Sequence, residues 1–247
     1  MRSLSDRVII VTGASSGLGR AIALAAWSRG ARLALCGRSA EKLAAVVAEL
    51  RSATALPAAA DASEVRLFAE AFDATDEAAV SGFVARAAAA LGPAEVLVNC
   101  AGANTARGPV LALAGADLRA MLELNLLAPL AFIRAACPAM REAGRGLVVN
   151  VLSSVCLFSN EGIGGYTASK CAFDGLAKVL RKELRADGVR VANVYPGGID
   201  TPFREAARPE YLAAKSVAEA ILALAEADES VAPDELVLRP LVEKNFA

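Results

Sequence analysis

Histidine is absent from all 247 residues. Its absence removes Ser-His-Asp and Cys-His catalysis and the usual zinc ligand sets, so no metal site is expected. Acid–base chemistry is left to Tyr, Lys, Asp, Glu or Cys. Five cysteines are scattered at 36, 100, 137, 156 and 171, with no Cys-x-x-Cys pair. The odd count and the apolar flanks predict reduced thiols in a cytoplasmic protein rather than a disulfide framework. A reactive thiol at Cys171, beside Lys170, or at Cys156, near Ser153, competes with the commoner small core residue. Charge of one sign is lacking too. Lys and Arg number 26 against 27 Asp and Glu, a formal net of −1. Neither a nucleic acid nor an anionic membrane is the expected partner. Mean hydropathy is +0.44, and alanine drives it. The most apolar region, Met121–Met140, is interrupted by Glu123, Asn125, Pro129 and Arg134, so it reads as a buried or oligomer-forming helix and not a membrane span. Met1-Arg-Ser-Leu-Ser-Asp6 passes straight into a strand, and no apolar signal region is expected.

Apolar, β-branched runs do alternate with longer alanine- and leucine-rich stretches of helical period. Strands are predicted at 7–12, 32–36, 67–73, 94–99, 146–152, 189–195 and 235–239, and helices at 17–29, 39–52, 76–91, 116–142, 166–186 and 215–227. Strands alternating with helices predict a parallel sheet covered on both faces. No repeat or biased linker is visible. Residues 52–66 are the least patterned internal segment and read as a surface loop or short extra turn.

Tyr166-Thr-Ala-Ser-Lys170 carries the most chemical information. On a helix, positions i and i+4 lie one above the other. A cation about 4.5 Å from a phenolate, at an effective dielectric of about 20, contributes on the order of 3–4 kcal/mol. That is about two to three pKa units, enough to bring a tyrosine from about 10 toward neutrality. Such a tyrosine exchanges protons with an alcohol or a carbonyl at ordinary pH. Taken alone the pair is common on exposed helices, so the neighbours decide.

At the other end, Arg7-Val-Ile-Ile-Val-Thr12 runs into Gly13-Ala-Ser-Ser-Gly17-Leu-Gly19 and then a helix. Strand, glycine-rich turn and helix start make a dinucleotide phosphate site, because glycines permit close backbone approach and the helix start offers unpaired amides. The spacing is Gly-x-x-x-Gly-x-Gly rather than Gly-x-Gly-x-x-Gly.

With these motifs in order, the chain resembles the compact subgroup of the short-chain dehydrogenase/reductase family over essentially its whole length. The resemblance implies that Gly13, Ser15, Ser16, Gly17, Leu18 and Gly19 hold the cofactor phosphates. It implies that Asp73 and Ala74 lie at the adenine, and that Asn99, Ala101 and Gly102 support the sheet beside the cofactor. Pro196, Gly197, Ile199 and Thr201 match the segment that holds the nicotinamide amide, and Asn125, Ser153, Tyr166 and Lys170 match the catalytic four. In the implied roles, Tyr166 gives a proton to the carbonyl oxygen as hydride leaves the nicotinamide, and Ser153 bonds that oxygen. Lys170 lowers the tyrosine pKa and bonds the nicotinamide ribose. Asn125 holds a water linking Lys170 to solvent, with a kink marker beside Pro129 as the competing reading. Ser153 is preferred to Ser154 because it lies three residues after Asn150 and thirteen before Tyr166; Ser154 then reads as a backbone-bonding turn serine.

The second strand ends Leu35-Cys36-Gly37-Arg38-Ser39 with no carboxylate for a ribose hydroxyl. Arg38 therefore favours the 2′-phosphate of NADP(H), with NAD(H) the lesser alternative. Ser16 stands where many NADP members carry a second basic residue, and Cys100 replaces the family's usual second asparagine. The stretch between Thr201 and Lys215 is short for a substrate lid; Phe203 and Arg204 are its candidates for touching substrate, with a surface role as the equal alternative, while Phe158 and Ile163 suggest an apolar opposite wall on which Glu161 faces either pocket or water. The expected protein is one domain, 1–247, an α/β doubly wound Rossmann-type three-layer sandwich. Its seven-stranded parallel sheet has the order 3-2-1-4-5-6-7. The expected reaction is NADP(H)-dependent interconversion of a ketone or aldehyde and its alcohol, by a homotetramer or homodimer. A non-catalytic cofactor-binding regulator is the rival reading. An epimerase or dehydratase of the extended branch would need a larger C-terminal domain.

Overall fold

The computed structural model describes residues 3–53, 65–203, 206–228 and 230–243. Most of the unpatterned stretch 52–66, and Arg204, lie outside them.

β-branched and leucine-rich runs form β1 (Val8–Thr12), β2 (Arg32–Gly37), β3 (Leu67–Ala71), β4 (Val96–Asn99), β5 (Gly146–Val151) and β6 (Val189–Pro196). Two further strands, β7 (Ile199–Asp200) and β8 (Leu212–Ala213), form a separate parallel pair that the sequence pattern did not suggest. The seventh strand of the main sheet is β9 (Glu235–Leu238). The order is β3-β2-β1-β4-β5-β6-β9, every neighbour parallel. This is the expected order and class.

Side chains alternate across the sheet, so each strand feeds two cores. Ile9, Val11, Leu33, Leu35, Val149 and Val194 pack on one face beneath α1 (Gly17–Trp27), α2 (Ala40–Ser52) and α7 (Ala214–Glu226). Val8, Ile10, Ala34, Leu97, Val148 and Val191 pack on the other, against α3 (Glu77–Leu91), α5 (Ala128–Glu142) and α6 (Gly164–Leu184). Burial on both faces explains why the strands read as continuous apolar runs. Two helix starts, those of α2 and α3, follow the capping rule. The Asp76 carboxylate accepts from the amides of Ala78 and Ala79, and the Ser39 hydroxyl accepts from that of Lys42.

The predicted 116–142 helix spans Gly115–Glu142, but not as one regular helix. α4 (Gly115–Leu122) passes through a π turn at Glu123–Leu127 before α5 begins. Pro129 has no N–H to return to the Asn125 carbonyl four residues earlier, and the ladder widens there. By length and composition this helix would pass for a membrane span, yet half of its most apolar window is buried within the fold.

A line of amides crosses the middle of the sheet. Asn99, Asn150 and Asn193 stand in register on β4, β5 and β6. Asn99 Nδ2 donates to Asn150 Oδ1 at 3.0 Å, and Asn150 Nδ2 to Asn193 Oδ1 at 3.1 Å. Asn193 Nδ2 donates to Asp174 Oδ1 at 3.0 Å; that oxygen also accepts from the Tyr195 hydroxyl at 2.7 Å. Each link satisfies the next, and the Asn99 Oδ1 at the head of the line is buried without a partner. Asn150→Ala would leave a donor on Asn99 and an acceptor on Asn193 unpaired. We expect urea unfolding to show a loss of about 2–4 kcal/mol. A loss under about 1 kcal/mol would mean that water fills the gap.

Candidate active site

At β1 the strand order reverses, with β2 on one side and β4 on the other. Such a switch point opens a crevice at the carboxyl ends of the strands. The crevice here is a cleft of about 1110 Å³. Of the residues expected at a site, all within the described residues line it except Asn99, Asn125 and Phe158. Asn99 lies behind it as the first link of the amide line. Asn125 is fully buried, and the half-buried Phe158 ring lies under the Arg239 guanidinium.

At the phosphate end, β1 passes into a turn in which Gly13 and Gly17 have φ of 68° and 53°. Only glycine takes these values at low cost. Space matters as much as angle. A Cβ on Gly13 would meet the Ala101 backbone at 2.9 Å, and one on Gly19 would meet the Gly13 carbonyl at 2.3 Å. The turn is also tied to β4: Thr12 Oγ1 accepts from the amides of both Cys100 and Ala101 at 2.9 Å. Thr201 folds back over the turn, 3.4 Å from where a Gly17 Cβ would stand. Helix α1 starts at Gly17 and turns its unpaired amides toward the cleft.

At the far end of the same half, Arg38 and Lys42 both line the cleft. Lys42 was not anticipated. It lies in the first turn of α2, and its signal, a basic residue just beyond a capping serine, was indistinguishable from an ordinary surface lysine. Asp73 lies opposite. Its carboxylate accepts from the Thr75 amide at 3.0 Å and hydroxyl at 2.8 Å. These bonds, helped by the Arg38 charge, hold it below the usual carboxylate range.

The end of the cleft that holds Ser153, Tyr166 and Lys170 is built by β5, the turn after it, and α6. Ser153 ends the run after β5, and its Oγ accepts from the Val155 amide at 3.3 Å. The side-chain contact to backbone is thus made by Ser153, whereas Ser154 contributes its carbonyl, which accepts from the Leu157 and Phe158 amides. Tyr166 and Lys170 lie one turn apart on α6, both buried. The phenol ring packs with Met121 and Val155, and the Phe203 ring lies 6.0 Å away. Lys170 Nζ points inward. It donates to the Val151 carbonyl at 3.0 Å and lies 3.2 Å from where a Gly102 Cβ would stand. Gly102 is therefore glycine because the lysine and Asn125 occupy that space.

Asn125 acts as a staple. Its Oδ1 accepts from the Ala103 amide, and its Nδ2 donates to the Ala103 carbonyl and to Ser169 Oγ, all at 2.9 Å. The amide thus ties the cofactor-side segment after β4 to α6, and it does so from the π turn.

Burial brings the Lys170 ammonium down to about 8, since the charged form loses its water. The thiols of Cys100 and Cys156 nearby are pushed up to about 12 by the same effect, so they stay neutral at physiological pH. All five cysteines are free. A lysine lowered in the folded state weakens folding below about pH 8. Between that value and the ordinary 10.5 the unfolded chain holds more protons, so stability rises with pH. We expect the stability difference between the wild type and Lys170→Met to change by on the order of 3 kcal/mol across this window. Urea unfolding from pH 7.5 to 10.5 measures it; parallel curves would show that the ammonium is solvated.

The family model described as short chain dehydrogenase matches residues 7–212. An uncharacterised oxidoreductase of Staphylococcus saprophyticus is 29% identical over 247 residues, covering 98% of this chain and 100% of that protein. A metagenomic short-chain oxidoreductase solved in complex with NADP is 33% identical, with a TM-score of 0.83 over 98% of this chain and 100% of that one. An alcohol dehydrogenase from the archaeon Thermococcus sibiricus, complexed with 5-hydroxy-NADP, is 26% identical, with a TM-score of 0.87 over 98% and 99% of the two chains. A glycine turn under a switch-point crevice, a Ser–Tyr–Lys set at its far wall and these likenesses agree, and the chain belongs to the short-chain dehydrogenase family.

Proposed function

We propose that the chain, as one catalytic and cofactor-binding domain, is an NADP(H)-dependent oxidoreductase interconverting a ketone or aldehyde and its alcohol. The observation that carries this reading is the meeting of Ser153, Tyr166 and Lys170 in one cleft with the glycine turn and Arg38. The glycines clear the backbone approach a pyrophosphate needs, and two cations, Arg38 and Lys42, stand where a 2′-phosphate would bind. The NADP in one similar structure and the 5-hydroxy-NADP in another support the same choice. Five free thiols suit a cytoplasmic setting. Exposed Leu127 and Val179, at the start of α5 and on α6, suit a homotetramer or homodimer.

When bound, the nicotinamide supplies or accepts the hydride. The Tyr166 hydroxyl gives its proton to the carbonyl oxygen during reduction and takes it back during oxidation. Ser153 has its oxygen engaged by the Val155 amide, which leaves its O–H to donate to the substrate oxygen and stabilise charge developing there. Lys170, protonated below about pH 8, favours the ionised phenol from one turn away. Asn125 keeps the Ala103 segment against α6, and the carbonyl that Pro129 leaves without its usual amide suits a water leading protons to Lys170. Val155, Ile163 and Phe203 make the substrate wall apolar.

Oxidation of NADPH followed by its nicotinamide absorbance, against a panel of carbonyl compounds, tests the reading. Tight NADPH binding without turnover across acyl, sugar, steroid and small-ketone panels would favour a regulator. Tyr166→Phe is expected to abolish turnover and leave NADPH affinity nearly unchanged; a variant that keeps most of its rate would overturn the proton-donor role. Arg38→Ala and Lys42→Ala should each weaken NADPH binding by about tenfold and spare NADH. Equal losses for both cofactors would remove the 2′-phosphate assignment.

A further inference from the structure

Beyond β9 the chain turns back over the end of β6 and becomes part of the cleft wall. Glu243 N donates to the Pro240 carbonyl at 3.2 Å, closing the turn. This brings the Glu243 carboxylate against Gly197 and Gly198. Glu243 Oε1 accepts from the Gly198 amide at 2.6 Å. Its Oε2 lies 3.6 Å from Arg239 Nε, with both side chains largely buried, at 14% and 15% exposure. The Arg239 guanidinium in turn stacks 4.6 Å above the Phe158 ring. The two glycines are matched to this packing. A Cβ on Gly197 would stand 2.4 Å from Glu243 Oε2, and one on Gly198 would stand 2.3 Å from the Tyr211 ring. The Gly197 amide is held as well, donating to the Leu238 carbonyl at 2.7 Å.

We propose that Glu243, oriented by Arg239, is a positioning residue that sets the Pro196–Thr201 segment for the nicotinamide. Resting on the dehydrogenase reading above, this assigns the C-terminal tail a share in gripping the cofactor's reactive end. A charge-assisted bond to a single backbone amide is short and directional, and it is stronger in a partly buried site than in water. It fixes the plane of the Gly197–Gly198 peptide, which glycine alone would leave loose. Ile199 and Thr201 follow at once, and Thr201 is the residue that reaches back over Gly17. A shift at Gly198 therefore moves the segment at one end of the cofactor site and leaves the Arg38 end alone.

The test is isothermal titration of the full chain with two ligands, NADPH and adenosine 2′,5′-bisphosphate, which has the adenine end and no nicotinamide. Glu243→Ala is expected to bind NADPH about tenfold more weakly and the bisphosphate as the wild type does. Glu243→Gln keeps an acceptor for the Gly198 amide and should stay within about threefold for both. Adding Arg239→Ala to Glu243→Ala should cost little more, since the two act as one unit. If Glu243→Ala does not fold, Arg239→Ala alone should show the same split between the ligands. Wild-type affinity for NADPH in Glu243→Ala, or in Arg239→Ala where only that variant folds, or an equal loss for both ligands, overturns the proposal. A wild type that binds no nicotinamide cofactor overturns the dehydrogenase reading itself, whereas a wild type that binds while the variants are unaffected overturns only the role of Glu243. Should NADH bind more tightly than NADPH, the same split is read with NADH and AMP.

Discussion

An ammonium taken out of water organises one end of the cleft in this protein. Lys170 lies on the buried side of α6 and reaches the Val151 carbonyl; burial has moved its pKa down toward neutrality. A lone buried cation is costly, and the fold bears that cost only because the surrounding backbone is fixed. β5 supplies the carbonyl, Gly102 leaves the room, and the Asn125 amide holds the neighbouring segment in place. Tyr166, one turn earlier, inherits its position from the same helix face. Buried groups with shifted pKa values cluster at functional sites.

The sheet brings the two halves of the site together. Reversal of strand order at β1 parts the loops above the strand ends and leaves the cleft between them. Thr12 then ties the glycine turn to the segment after β4, so the two ends of the cleft share a backbone junction. Beneath them the Asn99–Asn150–Asn193 line pins β4, β5 and β6 in register and ends on Asp174, one turn beyond Lys170 on α6. Helix α6 is thereby anchored to the sheet by polar contacts as well as by apolar packing against Val191 and Tyr195.

Much of this was legible in advance. Strand and helix positions followed from period and β-branching, because burial on both faces leaves little room for polar residues in β1, β2 or β5. Gly13, Gly17, Ser153, Tyr166 and Lys170 were expected around one cleft and they line it, because the turn, strand end and helix that carry them were readable from local spacing. Asn125 was legible as a residue and not as a geometry: the π turn that places it needs Pro129 and the packing of α6 together. Lys42 and Glu243 gave no signal of their own. A lysine at a helix start and a glutamate in an irregular tail are the ordinary furniture of a surface, and no periodicity separates those that face a cleft.

Local spacing was therefore enough to determine the class of sheet, the phosphate turn and the Tyr–Lys pair, since each arises from interactions within a few residues or from a repeating burial pattern. Only the tertiary structure decided that the tail's carboxylate meets Gly198, that Asn125 bridges Ala103 and Ser169, and that Asn99 begins a line ending on Asp174. Those contacts join residues from about twenty to fifty positions apart, whose meeting depends on how the helices close over the sheet, and nothing in the order of the chain encodes that distance.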